Sequence, residues 1–119
     1  MNDRAAIRER YLRDAVPVRL GGLAANLARI KSFALRGASV GAVESLLDES
    51  KFFIEWTAAE TDSQVAEQLV MLQVQLARWQ CGWDGIWGDT EKRRILSDES
   101  SLWSKRVLEM SGLLSQAVK

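Results

Sequence analysis

The feature that most constrains this chain is a row of apolar residues spaced alternately four and three positions apart. The clearest row is Val65, Leu69, Leu72, Leu76, Trp79 and Trp83. An earlier row follows the same steps: Val16, Leu20, Leu23, Leu27, Ile30 and Ala34. This spacing places side chains on one face of an α-helix, which is then buried against neighbouring helices. Val70 and Val74 are expected to widen the later buried row. The sequence therefore predicts packed helices and no strand.

Residues with preferences for helix ends divide the first half of the chain. Residues 3–14 read as a short amphipathic helix. Pro17 is tolerated in the first turn of a helix, so it either starts a new helix or kinks one long helix. Gly37 is expected to end that helix, because glycine readily adopts the left-handed conformation found there. Ser39 is expected to cap the next helix, which should end near Ala59.

The second half of the chain has similar signals. Thr61 and Gln64 match a capping box, in which each side chain satisfies a backbone donor near the other residue. Residues 82–88 combine three glycines with two tryptophans. Glycine disfavours helix, so we expect a frayed helix end or a structured loop there.

A last helix is expected from a cap at Asp89 or Thr90 to about Gln116. The connections between helices are then only a few residues long, which makes consecutive helices antiparallel neighbours. The predicted fold is all-α: an antiparallel up-down-up-down four-helix bundle with a short or kinked N-terminal helical segment. A chain of 119 residues forms one such domain, covering residues 1–119.

The chain has no histidine and a single cysteine, Cys81. The missing imidazole excludes Ser-His-Asp catalysis, histidine-ligated zinc and the Glu-x-x-His ligands of di-iron bundles. No glycine-rich phosphate-binding motif is present. We therefore expect a non-enzymatic protein with no catalytic residue, no cofactor and no metal site. Cys81 is expected to be a buried, inert thiol.

The cellular location is predicted from two missing signals. No run of the sequence approaches the apolar length of a membrane span. The first residues lead into charged side chains and do not resemble a signal peptide. These observations predict a cytoplasmic protein that does not enter a membrane.

The five tryptophans are the most informative side chains for function. Trp79, Trp83 and Trp87 are spaced i, i+4 and i+8, whereas Trp56 and Trp103 lie on other helices and could close around the same end of the bundle. One interpretation is an aromatic core plug. The other is a surface for a partner or a ligand, because tryptophan is favoured at interface hot spots. The candidate surface consists of these five residues.

Charge is unevenly distributed although the net charge is zero. Residues 1–36 carry eight basic and three acidic side chains, and residues 37–77 carry one basic and seven acidic. The candidate basic patch is Arg4, Arg8, Arg10, Arg13 and Arg19. Pairing with the acidic segment, within or between subunits, is the first interpretation, ahead of an acidic protein partner. Nucleic acid is disfavoured by the neutral overall charge.

These observations predict a non-enzymatic protein-interaction module whose partner is a protein, with self-association into a homo-oligomer as the expected form. One alternative is a binder of a small apolar or aromatic ligand in a tryptophan-lined pocket. A second alternative is nucleic-acid binding through the basic N-terminal segment.

Overall fold

A computed structural model describes residues 3–114 of the chain. Its α-helices are α1 (Asp3–Arg13), α2 (Val16–Arg36), α3 (Val40–Thr57), α4 (Ser63–Cys81), α5 (Trp83–Trp87) and α6 (Thr90–Ser111). A short 3-10 helix, Ala58–Glu60, joins α3 to α4. Regular structure within the described residues is entirely helical, and the long helices pack as a bundle. The all-α prediction is therefore confirmed.

Residues 3–36 form two helices and not one kinked helix. The break comes just before Pro17, which lies in the first turn of α2, where the missing N–H removes no intrahelical bond. The Tyr11 hydroxyl donates a 2.8 Å hydrogen bond to the carbonyl of Arg19. The Arg19 guanidinium in turn donates through Nε to the carbonyl of Asp14, also at 2.8 Å. These bonds hold the connection between the two helices.

The boundary between α2 and α3 follows one prediction and departs from another. Gly37 ends α2 in the left-handed conformation, with φ of 64°, as predicted. Ser39 does occupy the position before α3, but its backbone is left-handed and its side chain makes no capping hydrogen bond. The α-helix then ends at Thr57, two residues before the predicted Ala59, and continues as the 3-10 helix.

The residue that caps the start of α4 is not the one predicted from the sequence. The capping box of Thr61 and Gln64 does not form. Instead, the Asp62 carboxylate accepts a 2.9 Å hydrogen bond from the backbone N–H of Val65. The Thr61 hydroxyl donates backwards, to the carbonyl of Ala58 at 2.7 Å. Asp62 is one residue closer to the helix, so its short side chain reaches the donor that needs a partner.

The ends of α6 were predicted with mixed success. Asp89 is confirmed as the N-cap, because its carboxylate accepts a 3.1 Å hydrogen bond from the N–H of Lys92. At the other end the helix stops at Ser111, earlier than predicted, and Gly112 follows in the left-handed conformation with φ of 79°. Gln116, the predicted end, lies outside the described residues.

The two predicted apolar rows form the core of the bundle. The fully buried large side chains include Leu23, Leu27 and Ile30 of α2, Leu47 and Ile54 of α3, Leu69, Leu72 and Leu76 of α4, and Leu96 of α6. Only the first residue of the α2 row, and the first and last of the α4 row, are partly exposed. Burial of a leucine side chain stabilises the fold by about 1.5–3 kcal/mol, so these rows dominate stability.

Helix α2 is the central helix and makes its most extensive contacts with α6. Small residues at this contact let the two backbones approach closely. The Ser104 hydroxyl donates to the carbonyl of Ala24 at 2.7 Å, and the Ser97 hydroxyl donates to the carbonyl of Lys31 at 3.0 Å. Because residue numbers fall along α2 as they rise along α6, these two helices run antiparallel.

Within residues 3–114, no helix is both long enough and apolar enough to cross a lipid bilayer.

Candidate interaction surface

The five tryptophans do not converge on one site. Trp79 belongs to the buried core, whereas the other four are partly exposed. The helix breaks at Gly82, so the expected row from Trp79 to Trp87 is interrupted and the last two tryptophans lie on the separate helix α5. Trp83 and Trp87 contact each other, with ring centroids 5.3 Å apart.

The remaining two tryptophans have different neighbours. Trp56 lies near the C-terminal end of α3, in a cluster where Tyr11 stacks on Phe53 at 3.9 Å and lies 5.9 Å from the Trp56 ring. Trp103 lies on α6, and the guanidinium of Arg106 covers its ring at 4.5 Å. In the described part of the chain, no ring contact joins either residue to another tryptophan. Trp56 and Trp103 therefore make no aromatic cluster with the tryptophans of α5, and a single surface formed by all five stays a prediction.

Two clefts are each lined by one partly exposed tryptophan. A cleft of about 250 Å³ between α1 and α3 is lined by Arg4, Ile7, Ser45, Asp48, Glu49, Phe52 and Trp56. A second cleft, of about 300 Å³, lies where α3 meets the end of α4 and is lined by Glu44, Leu47, Asp48, Gln80 and Trp83. Both clefts have carboxylates in their walls, which does not favour a purely apolar ligand.

Arg19 is a structural residue and not part of an exposed patch. Its side chain is only 8% exposed, and its Nη1 lies 2.6 Å from a carboxylate oxygen of Glu60. It also donates to the carbonyls of Leu12 and Asp14. The buried guanidinium thus ties the connection between α1 and α2 to the 3-10 helix.

The other arginines of the candidate patch are exposed on α1. Arg4 lies 3.8 Å from Asp48 and covers the ring of Phe52 at 3.9 Å. Arg13 pairs with Glu9 of its own helix at 3.1 Å. The pairs Arg4–Asp48 and Arg19–Glu60 join the basic first segment to the acidic second one, as the pairing interpretation expects. Arg8 and Arg10 point to solvent.

The pKa of Tyr11 is clearly shifted. Burial, which disfavours the phenolate, raises the pKa of Tyr11 to about 12. The hydrogen bond from Thr57 and the nearby charge of Arg19 act in the opposite direction but do not offset burial. The hydroxyl therefore stays protonated and acts as a structural donor to the Arg19 carbonyl.

The described residues show no concentration of metal-binding or reactive groups. Between residues 3 and 114 there is no cluster of three or more Cys, Asp or Glu side chains that could hold a metal ion. Cys81 is exposed at the end of α4, which corrects the expectation of a buried thiol. It lies on the solvent side of the helix because Leu76 and Trp79 occupy the side facing the core.

The surface that sequence reasoning missed is the outer face of α4, formed by Val70, Met71 and Val74. These side chains are 52%, 50% and 48% exposed, which corrects the expectation that both valines widen the buried row. Residues 68–77 contain no charged side chain at all. A surface helix usually carries charged or polar residues on the side that faces away from the core. That absence of charge was the sequence signal for this surface.

Two charged residues and the neighbouring helix surround the outer face of α4. Glu67 and Arg78 are exposed, and among the described residues neither makes an ion pair or a side-chain hydrogen bond. On α6, Ile95 and Leu102 are also large exposed apolar side chains. Ile95 lines a cleft of about 170 Å³ together with Gln75 of α4, so this part of α6 lies beside α4.

Comparison with known proteins gives no relative from which a function could be transferred. No protein-family model, no curated protein and no solved structure matches this chain significantly.

Proposed function

We propose that this protein is a non-catalytic helical interaction module that self-associates through the outer face of α4. The observation that carries the proposal is the exposure of three large apolar side chains, Val70, Met71 and Val74, directly beside one another on a helix whose opposite side is already in the core. Contiguous exposed apolar residues of this kind mark contact surfaces.

The proposed arrangement of the bundle explains why this face is free. We propose that α2, α3, α4 and α6 follow one another up, down, up and down. Support comes from the antiparallel α2–α6 contact and from the short connections after Arg36 and Cys81. In this order each helix has two neighbours and one outward side, and the outward side of α4 is the one that carries Val70, Met71 and Val74.

The proposed working compartment is the cytoplasm. The support is the exposed free thiol of Cys81, since exposed unpaired cysteines are compatible with a reducing environment. Ligand binding in the tryptophan clefts and nucleic-acid binding through the arginines stay predictions from sequence, and no contact in the structure favours them over association.

Sedimentation analysis over a range of concentrations tests the proposal. The wild-type chain is expected to associate at micromolar to millimolar concentration. The variant Val70→Lys/Val74→Lys places charge on the outer face of α4 and is expected to be monomeric, because association would bury the ammonium groups. Circular dichroism confirms that the helices of the variant are retained.

Leu35→Lys provides the matched control. Leu35 is a large apolar residue on α2 that is 61% exposed, so the substitution changes the same property at a distant place. This variant is expected to associate like the wild type. A wild-type chain that is monomeric at millimolar concentration contradicts the proposal, and so does undiminished association of the α4 double variant.

A further inference from the structure

A symmetric pattern of side chains runs along α4 beside the outer face. Glu67, Met71, Val74 and Arg78 follow one another at steps of four, three and four, so they form one stripe on the helix surface, called here the mixed stripe. Its spacing is the same read from either end. The chemistry of its two ends differs, because one end is acidic and the other is basic, with apolar residues in the middle.

This pattern is complementary to itself only in one orientation. If two copies of α4 meet antiparallel about a two-fold axis between positions 72 and 73, Glu67 faces the partner's Arg78 at both ends. Met71 then packs against the partner's Val74 at the centre. In a parallel pair, each charge would face its own copy, and like charges repel. An isologous contact requires such self-complementarity.

The two charges of the mixed stripe do not pair with each other within one chain. Glu67 and Arg78 are eleven residues apart, which is about 16 Å along a helix, too far for a contact between them. Within residues 3–114 both side chains are without an ionic partner, as are Arg8, Arg10 and Arg29. A second copy supplies the missing partner for both residues at once.

We infer that the occupant of this surface is a second copy of the chain, paired antiparallel through α4 in the register that places Glu67 against the partner's Arg78. This inference rests on the proposed self-association and adds its orientation and register. Because Met71 precedes Gln75 by one helical turn, the stripe borders the side of α4 that faces α6. Ile95, which lines the cleft together with Gln75, therefore widens the contact.

The expected affinity is modest. A stable interface buries about 800 Å² on each partner, and the roughly three turns of α4 from Glu67 to Arg78 provide less than that. The exposed Ile95 of α6 adds area without adding a second helix pair. We therefore expect dissociation in the micromolar range, where sedimentation equilibrium measures it directly.

Charge reversal at the two ends of the stripe tests the register. Glu67→Lys places lysine against the partner's Arg78 twice in each dimer, and Arg78→Glu places two carboxylates together twice. Each single variant is expected to raise the dissociation constant about tenfold. The double variant Glu67→Lys/Arg78→Glu restores both pairs and is expected to return within about threefold of wild type.

Mixing the two single variants gives a sharper result. In the heterodimer, the lysine of one chain faces the glutamate of the other, and the native Arg78 of the first chain faces the native Glu67 of the second. An equimolar mixture of Glu67→Lys and Arg78→Glu is therefore expected to associate more tightly than either variant alone. Absence of this rescue overturns the register.

The relative orientation of the two α4 helices can be measured with a label on the native Cys81, so no substitution is needed. It is exposed near the end of α4, eight or nine residues from the proposed axis. In the antiparallel pair the two copies of Cys81 are separated by seventeen residues of rise, or about 25 Å, which pulsed electron paramagnetic resonance of a nitroxide label measures. A parallel pair brings the labels within about 10 Å, and that result overturns the inference.

The outcomes separate the two proposals. If Val70→Lys/Val74→Lys abolishes association while charge reversal changes nothing, self-association through α4 stands and the register is wrong. If the wild-type chain is monomeric at millimolar concentration, both are wrong. The labelled Val70→Lys/Val74→Lys variant is the control for distance measurement and is expected to show no intermolecular separation.

Discussion

Helices α2 and α4 have inward rows of the same spacing but outward faces of opposite character. The inward rows contribute Leu27 and Leu72, both fully buried. The outward face of α2 carries Arg29, Ser32 and Arg36, and the two large apolar residues exposed on this helix, Val18 and Leu35, lie apart near its opposite ends. The outer face of α4 is apolar. The inward row therefore decides whether a helix joins the bundle, and the outward face decides whether the helix can bind a further partner.

The two helices are also held in different ways. α2 contacts α6 through small residues, and serine hydroxyls of α6 donate directly to its backbone. Between α4 and α6 the structure has clefts, one of about 170 Å³ beside Trp79 and one of about 380 Å³ beside Met110. α4 is therefore held mainly by large side chains and α2 by close backbone approach as well.

The largest expected loss of stability comes from core substitutions, which test whether α4 unfolds in the same cooperative unit as α2. Leu72→Ala and Leu27→Ala should each lower the free energy of unfolding by about 2–5 kcal/mol, because each leaves a cavity in the core. Urea denaturation followed by circular dichroism measures both. A loss below about 1 kcal/mol for Leu72→Ala alone would show that α4 is not part of the cooperative core.

An intermediate loss of stability is expected when a small residue between α2 and α6 is replaced by a larger one. Ser100 is completely buried on α6, so Ser100→Leu should lower the free energy of unfolding by about 1–3 kcal/mol as the helices are forced apart. Leu102→Ser, at an exposed position two residues further on, serves as the control and should change little. Equal tolerance at both positions would contradict close packing of α2 and α6.

The dependence of stability on alkaline pH tests the contact between α1 and α2, which Tyr11 makes. The pKa of Tyr11 is raised from 10.0 to about 12 in the folded protein, so the unfolded chain loses this proton first. The contribution of Tyr11 is therefore fully present below pH 10 and is lost between pH 10 and 12, by about 1 kcal/mol at pH 11. Tyr11→Phe should flatten this part of the stability curve. An unchanged slope would show that Tyr11 is not buried in solution.

The smallest effects concern two serines of the α2–α6 contact. The Ser104 hydroxyl donates to the Ala24 carbonyl, so Ser104→Ala should cost about 1 kcal/mol. The Ser100 hydroxyl is buried without a hydrogen-bond partner among the described residues. Ser100→Ala should therefore be neutral or slightly stabilising. Thermal unfolding of the two variants compares them, and the reverse order would mean that the hydrogen bond to Ala24 contributes nothing.

Much of the local structure could be predicted, but less of the candidate site. Gly37 and Asp89 were recognised because their roles depend on a few neighbouring backbone atoms. The capping box at Thr61 failed in competition with Asp62, a choice decided by which oxygen reaches a free N–H. Trp79, Trp83 and Trp87 would form one row only in an unbroken helix, but Gly82 ends α4 and Trp83 begins α5.

The sequence by itself determined that this chain is helical and which side of α2 and α4 is buried, because a repeating spacing of four and three defines one face regardless of what covers it. Only the tertiary structure decided how many sides of each helix are covered. Val70 and Val74 stayed exposed because the bundle offers α4 no neighbour on that side. The number and position of neighbouring helices arise from packing between distant segments, which the spacing within one helix does not encode.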